Sequence, residues 1–273
     1  MEGALSEADR VFAGSIPELY DRYLAPMLFA GYAENLAWRT AALAPAHVLE
    51  IAAGTGVVTR ALARALPRKV EITATDLNQA MVDFAAAQPG AERVVWRQAD
   101  AQALPFADGS FDAMLCQFGV MFFPDRATAC REVKRVLKPG GRYLFSVWDR
   151  IEENEFAQIV TDAVAALFPD NPPRFLPRTP YGYYDTAPID NELRAAGFTN
   201  VTIETVTRRS RAPSPRDAAV GLCQGTPLRS EIEARGADQL EAATTAAAAA
   251  LAARFGSGAI HGKIRAHIVT ASV

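Results

Sequence analysis

The segment Val48-Leu49-Glu50-Ile51-Ala52-Ala53-Gly54-Thr55-Gly56 constrains the fold of this chain more than any other. An apolar, β-rich run ends in an acid and gives way to a glycine turn, and a helical pattern over residues 57–66 follows. Open α/β sheets bind ligands at the carboxyl ends of such strands, where a backbone without Cβ atoms can approach a ligand closely. The pattern then repeats. Apolar runs at 70–75, 93–97, 111–116 and 141–148 alternate with helical periodicity at 79–87 and 125–137, the signature of βαβ units and a parallel sheet. Several of these runs are nearly continuously apolar, as expected of strands covered by helices on both faces. Lys138-Pro139-Gly140-Gly141 ends the last helix, because proline cannot continue it and glycine tolerates the turn.

The residues at the turn separate two kinds of nucleotide site. A dinucleotide fold places a pyrophosphate on G-x-G-x-x-G, but here Thr59 stands at the third glycine position. Glu50 beside the loop would repel a pyrophosphate, yet it suits a cofactor carrying a cationic ammonium and sulfonium. The residues thus favour S-adenosylmethionine (SAM) over NAD. Asp76, at the end of the second run and 26 residues after Glu50, can accept hydrogen bonds from ribose hydroxyls. It is also a candidate helix N-cap.

The order and content of these motifs resemble the class I SAM-dependent methyltransferases, in the branch of the ubiquinone/menaquinone C-methyltransferases. The resemblance is close over residues 46–149 and loose elsewhere. It takes in Asp100-Ala101 with Leu104-Pro105-Phe106, Ser110-Phe111-Asp112 leading to Cys116-Gln117-Phe118-Gly119, and Val136-Leu137-Lys138-Pro139-Gly140-Gly141. It implies that the backbone of Ala52, Ala53, Gly54, Thr55 and Gly56 lies along the methionine part of SAM. Asp76 then holds the ribose, and Leu77 and Met81 flank the adenine. Asp100 accepts from the adenine amino group, the Ala101 N–H donates to the ring, and Gln117 and Phe118 sit beneath the sulfonium. Tyr20, in Tyr20-Asp21-Arg22-Tyr23, resembles a cap element that closes over SAM, and an aromatic helix face packed on the core accounts for it equally well. The chain departs from the family at Ala52, where glycine is usual. A methyl group fits there if φ is negative, so altered packing is expected and not lost binding.

The implied fold is a Rossmann-like, doubly wound, seven-stranded and mainly parallel α/β sheet with helical cap elements. Residues 1–46, which look helical and carry Phe12, Tyr20, Tyr23, Phe29, Tyr32 and Trp38, form an N-terminal cap. Residues 47–149 form the SAM-binding core. Residues 150–273 complete the sheet within the same domain, with helix at 152–168, loop at 169–184, helix at 189–196, strand at 201–207 and strand at 263–269. The aromatics Phe168, Phe175, Tyr181, Tyr183 and Tyr184 suit either a pocket for an apolar or aromatic small molecule or a packed lid. The helical run 231–255 is free to pack on the domain or against a second copy.

Composition narrows the partners. A net charge of −3 gives no long-range pull toward nucleic acid or an anionic membrane. The three cysteines, Cys116, Cys130 and Cys223, are too scattered for a disulfide framework or a metal site. The polar, acidic start and the lack of a long apolar run point to a cytoplasmic protein without membrane insertion.

Methyl transfer from a sulfonium needs water excluded and the nucleophile aligned, and a base only where the acceptor must lose a proton. The possible bases are His47, His261, His267, Tyr20 and Tyr23, and none is singled out as catalytic. The function expected is methyl transfer from SAM to a small molecule. The alternatives are a nicotinamide oxidoreductase and a SAM-binding protein without catalysis.

Overall fold

A computed structural model describes residues 14–236 and 238–273. Phe12 lies outside the described residues. Seven strands form one sheet, namely β1 (His47–Glu50), β2 (Glu71–Asp76), β3 (Val94–Gln98), β4 (Phe111–Gln117), β5 (Leu137–Trp148), β6 (Thr199–Ala212) and β7 (Ile260–Ser272). Their spatial order is β3-β2-β1-β4-β5-β7-β6, and the pairs β3–β2, β2–β1, β1–β4 and β4–β5 are all parallel. The winding reverses between β1 and β4, so a crevice opens at their carboxyl ends, where doubly wound sheets bind ligands. Hydrogen bonds from the Val273 N–H to the Gly141 carbonyl and from the Asp149 N–H to the Arg265 carbonyl run β7 antiparallel to β5.

The chain divides into two compact units. One, the sheet unit, comprises Ala30–Val147, Asp185–Val206 and Ala266–Val273. It holds α2 (Ala30–Ala42), α3 (Val57–Ala65), α4 (Gln79–Ala86), α5 (Arg126–Val136) and α8 (Thr186–Ala195) around β1 to β5. Its core is the apolar inheritance of the strand runs, with Val48, Leu49, Ile51, Ile72, Met114 and Leu115 all buried. At the amino end of the sheet, Asp112 ties three strands together. Its carboxylate accepts from the backbone N–H groups of Ala46 and His47 at 2.9 and 2.7 Å and from the Lys138 ammonium at 2.7 Å. Burial works against the Asp112 charge, but the Lys138 hydrogen bond and the two N–H groups prevail and hold its carboxyl at about 2.

The other unit runs up to Phe29 and includes Trp148–Tyr184 and Thr207–Arg265. It contains α1 (Ile16–Leu19), α6 (Glu155–Leu167), α7 (Phe175–Arg178), α9 (Pro215–Gln224), α10 (Leu228–Glu233) and α11 (Gln239–Phe255). Tyr20–Phe29 forms a π-helix that contains Pro26. Proline has no N–H to complete an ordinary helical ladder, and wider turns accommodate such interruptions. No helix among the described residues is long and apolar enough to cross a membrane.

Three local expectations are corrected. The strand expected to begin at Gly141 begins at Leu137. The Phe111–Leu137 pairing is followed by Ala113–Arg142, so Lys138 to Gly141 form an irregularity inside β5, with Gly140 at φ +78°. The expected loop at 169–184 contains the one-turn helix α7. The Glu231 carboxylate caps it by accepting from the Arg174 and Phe175 N–H groups at 2.7 and 3.2 Å, a partner more than fifty residues away. The helix expected from residue 152 begins at Glu155, after a 3₁₀ turn at Ile151–Glu153.

Candidate cofactor site

The turn after β1 is shaped by its neighbours on both sides. The Ile51 N–H donates to the Leu115 carbonyl of β4 and the Ala53 N–H to the Thr75 carbonyl of β2, each at 2.9 Å. Ala52, pinned between them, takes the left-handed conformation with φ +52°. This corrects the expectation of a negative φ, and it accounts for the usual glycine, because left-handed backbone costs a residue with a Cβ about 1–2 kcal/mol. Gly54 and Gly56 continue the turn at φ +56° and +80°. The position of a Cβ on Gly54 is open, whereas one on Gly56 would lie 2.8 Å from the Trp96 ring. Gly54 thus leaves room for a ligand against the backbone, and Gly56 lets α3 close on the sheet.

Across the crevice, Phe118 is also left-handed, with φ +52°, and its ring meets Tyr32 edge-on at 5.4 Å. The next residue shows how Ala52 is tolerated. A Cβ on Gly119 would lie 2.6 Å from the Ala52 Cβ and 2.7 Å from the Cys116 sulfur. The methyl at position 52 occupies the space that glycine leaves at position 119. We therefore expect Gly119→Ala to lose about 1–3 kcal/mol of stability through overpacking. Ala52→Gly alone should stay within about 1 kcal/mol, because relief of left-handed strain offsets the entropy glycine gains in the unfolded chain. Urea unfolding of both single variants and the double variant checks the pairing. Additive losses, with no recovery in the double variant, would refute it.

Two buried carboxylates line the turn. Glu50 is 1% exposed and accepts from the Thr59 hydroxyl at 2.5 Å. Burial, with the nearby Asp76 charge adding to it, pushes its carboxyl up to about 8 against the opposing Thr59 hydrogen bond and Arg60 charge. Asp76 splits its oxygens between two loops. Oδ2 accepts from the Gly54 N–H and Oδ1 from the Asn78 N–H, both at 2.9 Å. Burial raises the Asp76 carboxyl in spite of these hydrogen bonds. The N-cap position of α4 is Asn78, so capping is not the task of Asp76. A site that collects two carboxylates away from water, with burial outweighing the partners each one has, favours a positively charged ligand.

The remaining expected positions follow the strand ends. Leu77 is 41% exposed just after β2, while Met81 is 3% exposed on the inner face of α4. Asp100 and Ala101 lie on the loop after β3, where Asp100 Oδ1 accepts from the Gln102 N–H at 2.8 Å. Gln117 ends β4. The sheet unit therefore gathers Glu50, the 52–56 turn, Asp76, Leu77, Asp100, Ala101, Gln117 and Phe118 on the carboxyl ends of β1 to β4. Three features of the turn suit SAM. The glycine turn is open, the buried acids call for positive charge, and the buried Thr55 hydroxyl within the turn has no hydrogen-bond partner among the described residues.

Tyr20 belongs to the other unit, where it stacks on Phe29 at 5.0 Å, and the Arg22 guanidinium lies over the Tyr23 ring. Of the aromatics expected to line a pocket or lid, Phe175 and Tyr181 are core of that unit, with Tyr181 packed on Trp148 at 5.7 Å. His47 begins β1, at the end of that strand opposite the turn. His267 is buried on β7 with Thr205 at 3.0 Å from its ring nitrogen, and His261 lies exposed on the same strand. Sequence reasoning missed Thr59 as the partner of Glu50. The signal was its helical spacing from the turn, at the place where a dinucleotide fold keeps glycine.

Residues 49–145 match the family model described as a methyltransferase domain. The chain is 30% identical to the demethylmenaquinone methyltransferase of Deinococcus radiodurans, over 69% of this chain and 83% of that protein. It is 40% identical over 100 residues to the ubiquinone/menaquinone biosynthesis C-methyltransferase of Geobacter sulfurreducens, which it matches over 39% of that protein's length. The fold is shared with the YcgJ protein of Bacillus subtilis at a TM-score of 0.55 and 22% identity, covering 89% of this chain and 98% of that one.

Proposed function

We propose, from the premise that this chain belongs to the class I SAM-dependent methyltransferases related to the ubiquinone/menaquinone C-methyltransferases, that it methylates a small apolar acceptor at the end of β4. The enzyme uses SAM, whose sulfonium supplies an activated methyl carbon. The observation that carries the site assignment is the pair of buried carboxylates, Glu50 and Asp76, around an open glycine turn. In this reading the backbone of residues 52–56 lies along the methionine part of the cofactor, and Glu50 balances its positive charge. Asp76 holds the ribose through the acceptor capacity that its hydrogen bonds from Gly54 and Asn78 leave free. Leu77 covers one face of the adenine, and Asp100 with the Ala101 N–H reads its edge.

The acceptor side is apolar. Phe118, Val120, Met121 and Phe123 are buried directly after β4, beside Gln117. A demethylmenaquinone-like acceptor, named for one relative, is the first to try. The chain's residues then act by excluding water and fixing the line of approach, which is where catalysis of a displacement on an activated carbon resides.

The test is calorimetric titration with SAM, its demethylated product and NAD, followed by transfer of labelled methyl to apolar quinols and to charged amines. Micromolar binding of the SAM species and label in the quinols is the expected result. Binding of NAD alone would overturn the assignment, and label confined to the amines would overturn the acceptor class.

A further inference from the structure

The loop over residues 99–110 has no helix or strand of its own, yet it carries Asp100 and Ala101. Ordering backbone costs about 1–2 kcal/mol per residue, so a loop that must meet a ligand edge at fixed distances needs something to hold it. Helix α5 does so at both of its ends. At the start of α5, the Asp125 N–H donates to Gln102 Oε1 at 3.0 Å, and Gln102 in turn donates to Asp100 through its backbone and side chain. At the far end stands Arg135. Its Nη1 donates to the Phe106 carbonyl and to Asp108 Oδ1, both at 2.7 Å. Its Nη2 donates to the Leu104 carbonyl at 2.9 Å and to Glu132 Oε2 at 2.8 Å, and its Nε donates to Glu132 Oε1 at 2.7 Å. Glu132 Oε2 also accepts from the Leu104 N–H at 2.9 Å.

We propose that Arg135 is a positioning residue for cofactor binding, whose guanidinium, aligned by Glu132, fixes the 99–110 loop so that Asp100 and Ala101 meet the adenine edge. The inference rests on the reading of Asp100 and Ala101 given above. A planar fork of five donors can bridge two carbonyls and two carboxylates at once, and a lysine ammonium cannot. The side chain of Arg135 is 31% exposed, while Ala129, Cys130, Val133 and Val136 form the buried face of α5. The helix therefore stays seated when the guanidinium is removed. The loop loses the ties to the Leu104 and Phe106 carbonyls and to Asp108, while keeping those through Gln102, Glu132 and the α5 backbone.

The experiment compares binding of S-adenosylhomocysteine with binding of its counterpart lacking the exocyclic amino group. It uses the full-length wild type, Arg135→Met, Arg135→Lys, Glu132→Gln and Asp100→Asn. The wild type should prefer the adenine ligand. Arg135→Met should lose about tenfold in affinity for it and less than threefold for the counterpart. Arg135→Lys should not restore the preference, and Glu132→Gln should shift it two- to threefold the same way, which keeps the test open if the methionine variant folds poorly. Turnover at saturating SAM should stay within twofold of wild type while KM for SAM rises. A wild-type ratio of the two affinities in Arg135→Met and Arg135→Lys, whether both affinities fall together or neither does, overturns the proposal for Arg135. If the wild type shows no preference, or Asp100→Asn leaves it unchanged, the adenine reading itself is what fails.

Discussion

Replacing Asp76 by alanine weakens SAM binding at least tenfold in calorimetric titration, about 1.4 kcal/mol. The loss has two sources. The carboxylate proposed to accept from ribose hydroxyls disappears, and the Gly54 and Asn78 N–H groups that it now satisfies are left without their acceptor. An unsatisfied donor fully shut from water costs about 1–3 kcal/mol; these two are part-buried and cost less, but the glycine turn loosens as well. Removing a buried carboxyl whose charge the fold disfavours works in the opposite direction. A lowered melting temperature with unchanged SAM affinity would assign Asp76 to the loop alone and remove it from the cofactor site.

Glu50→Gln should separate stability from binding. The folded chain holds the Glu50 proton up to about pH 8, whereas the unfolded chain releases it near the usual 4.5. Between those values the folded state binds more protons than the unfolded state, so wild-type stability falls as pH rises and levels off above about 8. Glutamine has no proton to lose there and can still accept from Thr59. The variant should therefore melt higher than wild type at pH 8.5, and by less at pH 6. Its affinity for SAM should drop about tenfold, because the carboxylate that the cationic cofactor draws into its charged form is gone. Wild-type binding near pH 7 should release protons, detectable from titrations in buffers of different ionisation enthalpy, and the variant should release fewer. A variant that melts lower than wild type at pH 8.5 would show that burial does not govern Glu50.

Where the chain could be read and where it could not follows from the range of the forces involved. The strands of the parallel sheet are short apolar runs bounded by turn residues, so β1, β2 and β4 were legible almost to the residue. Glu50 and Asp76 were legible because each is a charge that interrupts an apolar run just where a turn begins, a break in the local pattern that needs no tertiary contact to be seen. Helix α7 was not, since its cap comes from Glu231, far along the chain. Nor was the sign of φ at Ala52, because it is set by hydrogen bonds to Leu115 and Thr75 on two different strands. The grip of Arg135 on the 99–110 loop is of the same kind, a tertiary contact with no local periodicity to announce it. The aromatics between residues 168 and 184 left a pocket and a packed lid equally open. Phe175 and Tyr181 are buried, and an aromatic-rich stretch reads the same whether it lines a pocket or fills a core.

The fit of the Ala52 methyl over Gly119 also bears on how such a chain can change. One methyl group's worth of space is shared between the two positions, and 52 holds it here. With glycine at both positions, alanine at 119 would still lie 2.7 Å from the Cys116 sulfur, so the space admits a methyl at 52 and not at 119. Enlargement at 119 therefore needs glycine at 52 and a smaller side chain at 116 together, so the three positions constrain one another. The turn after β1 and the segment after β4 are thereby bound, in what either can become, by the volume of a single carbon atom.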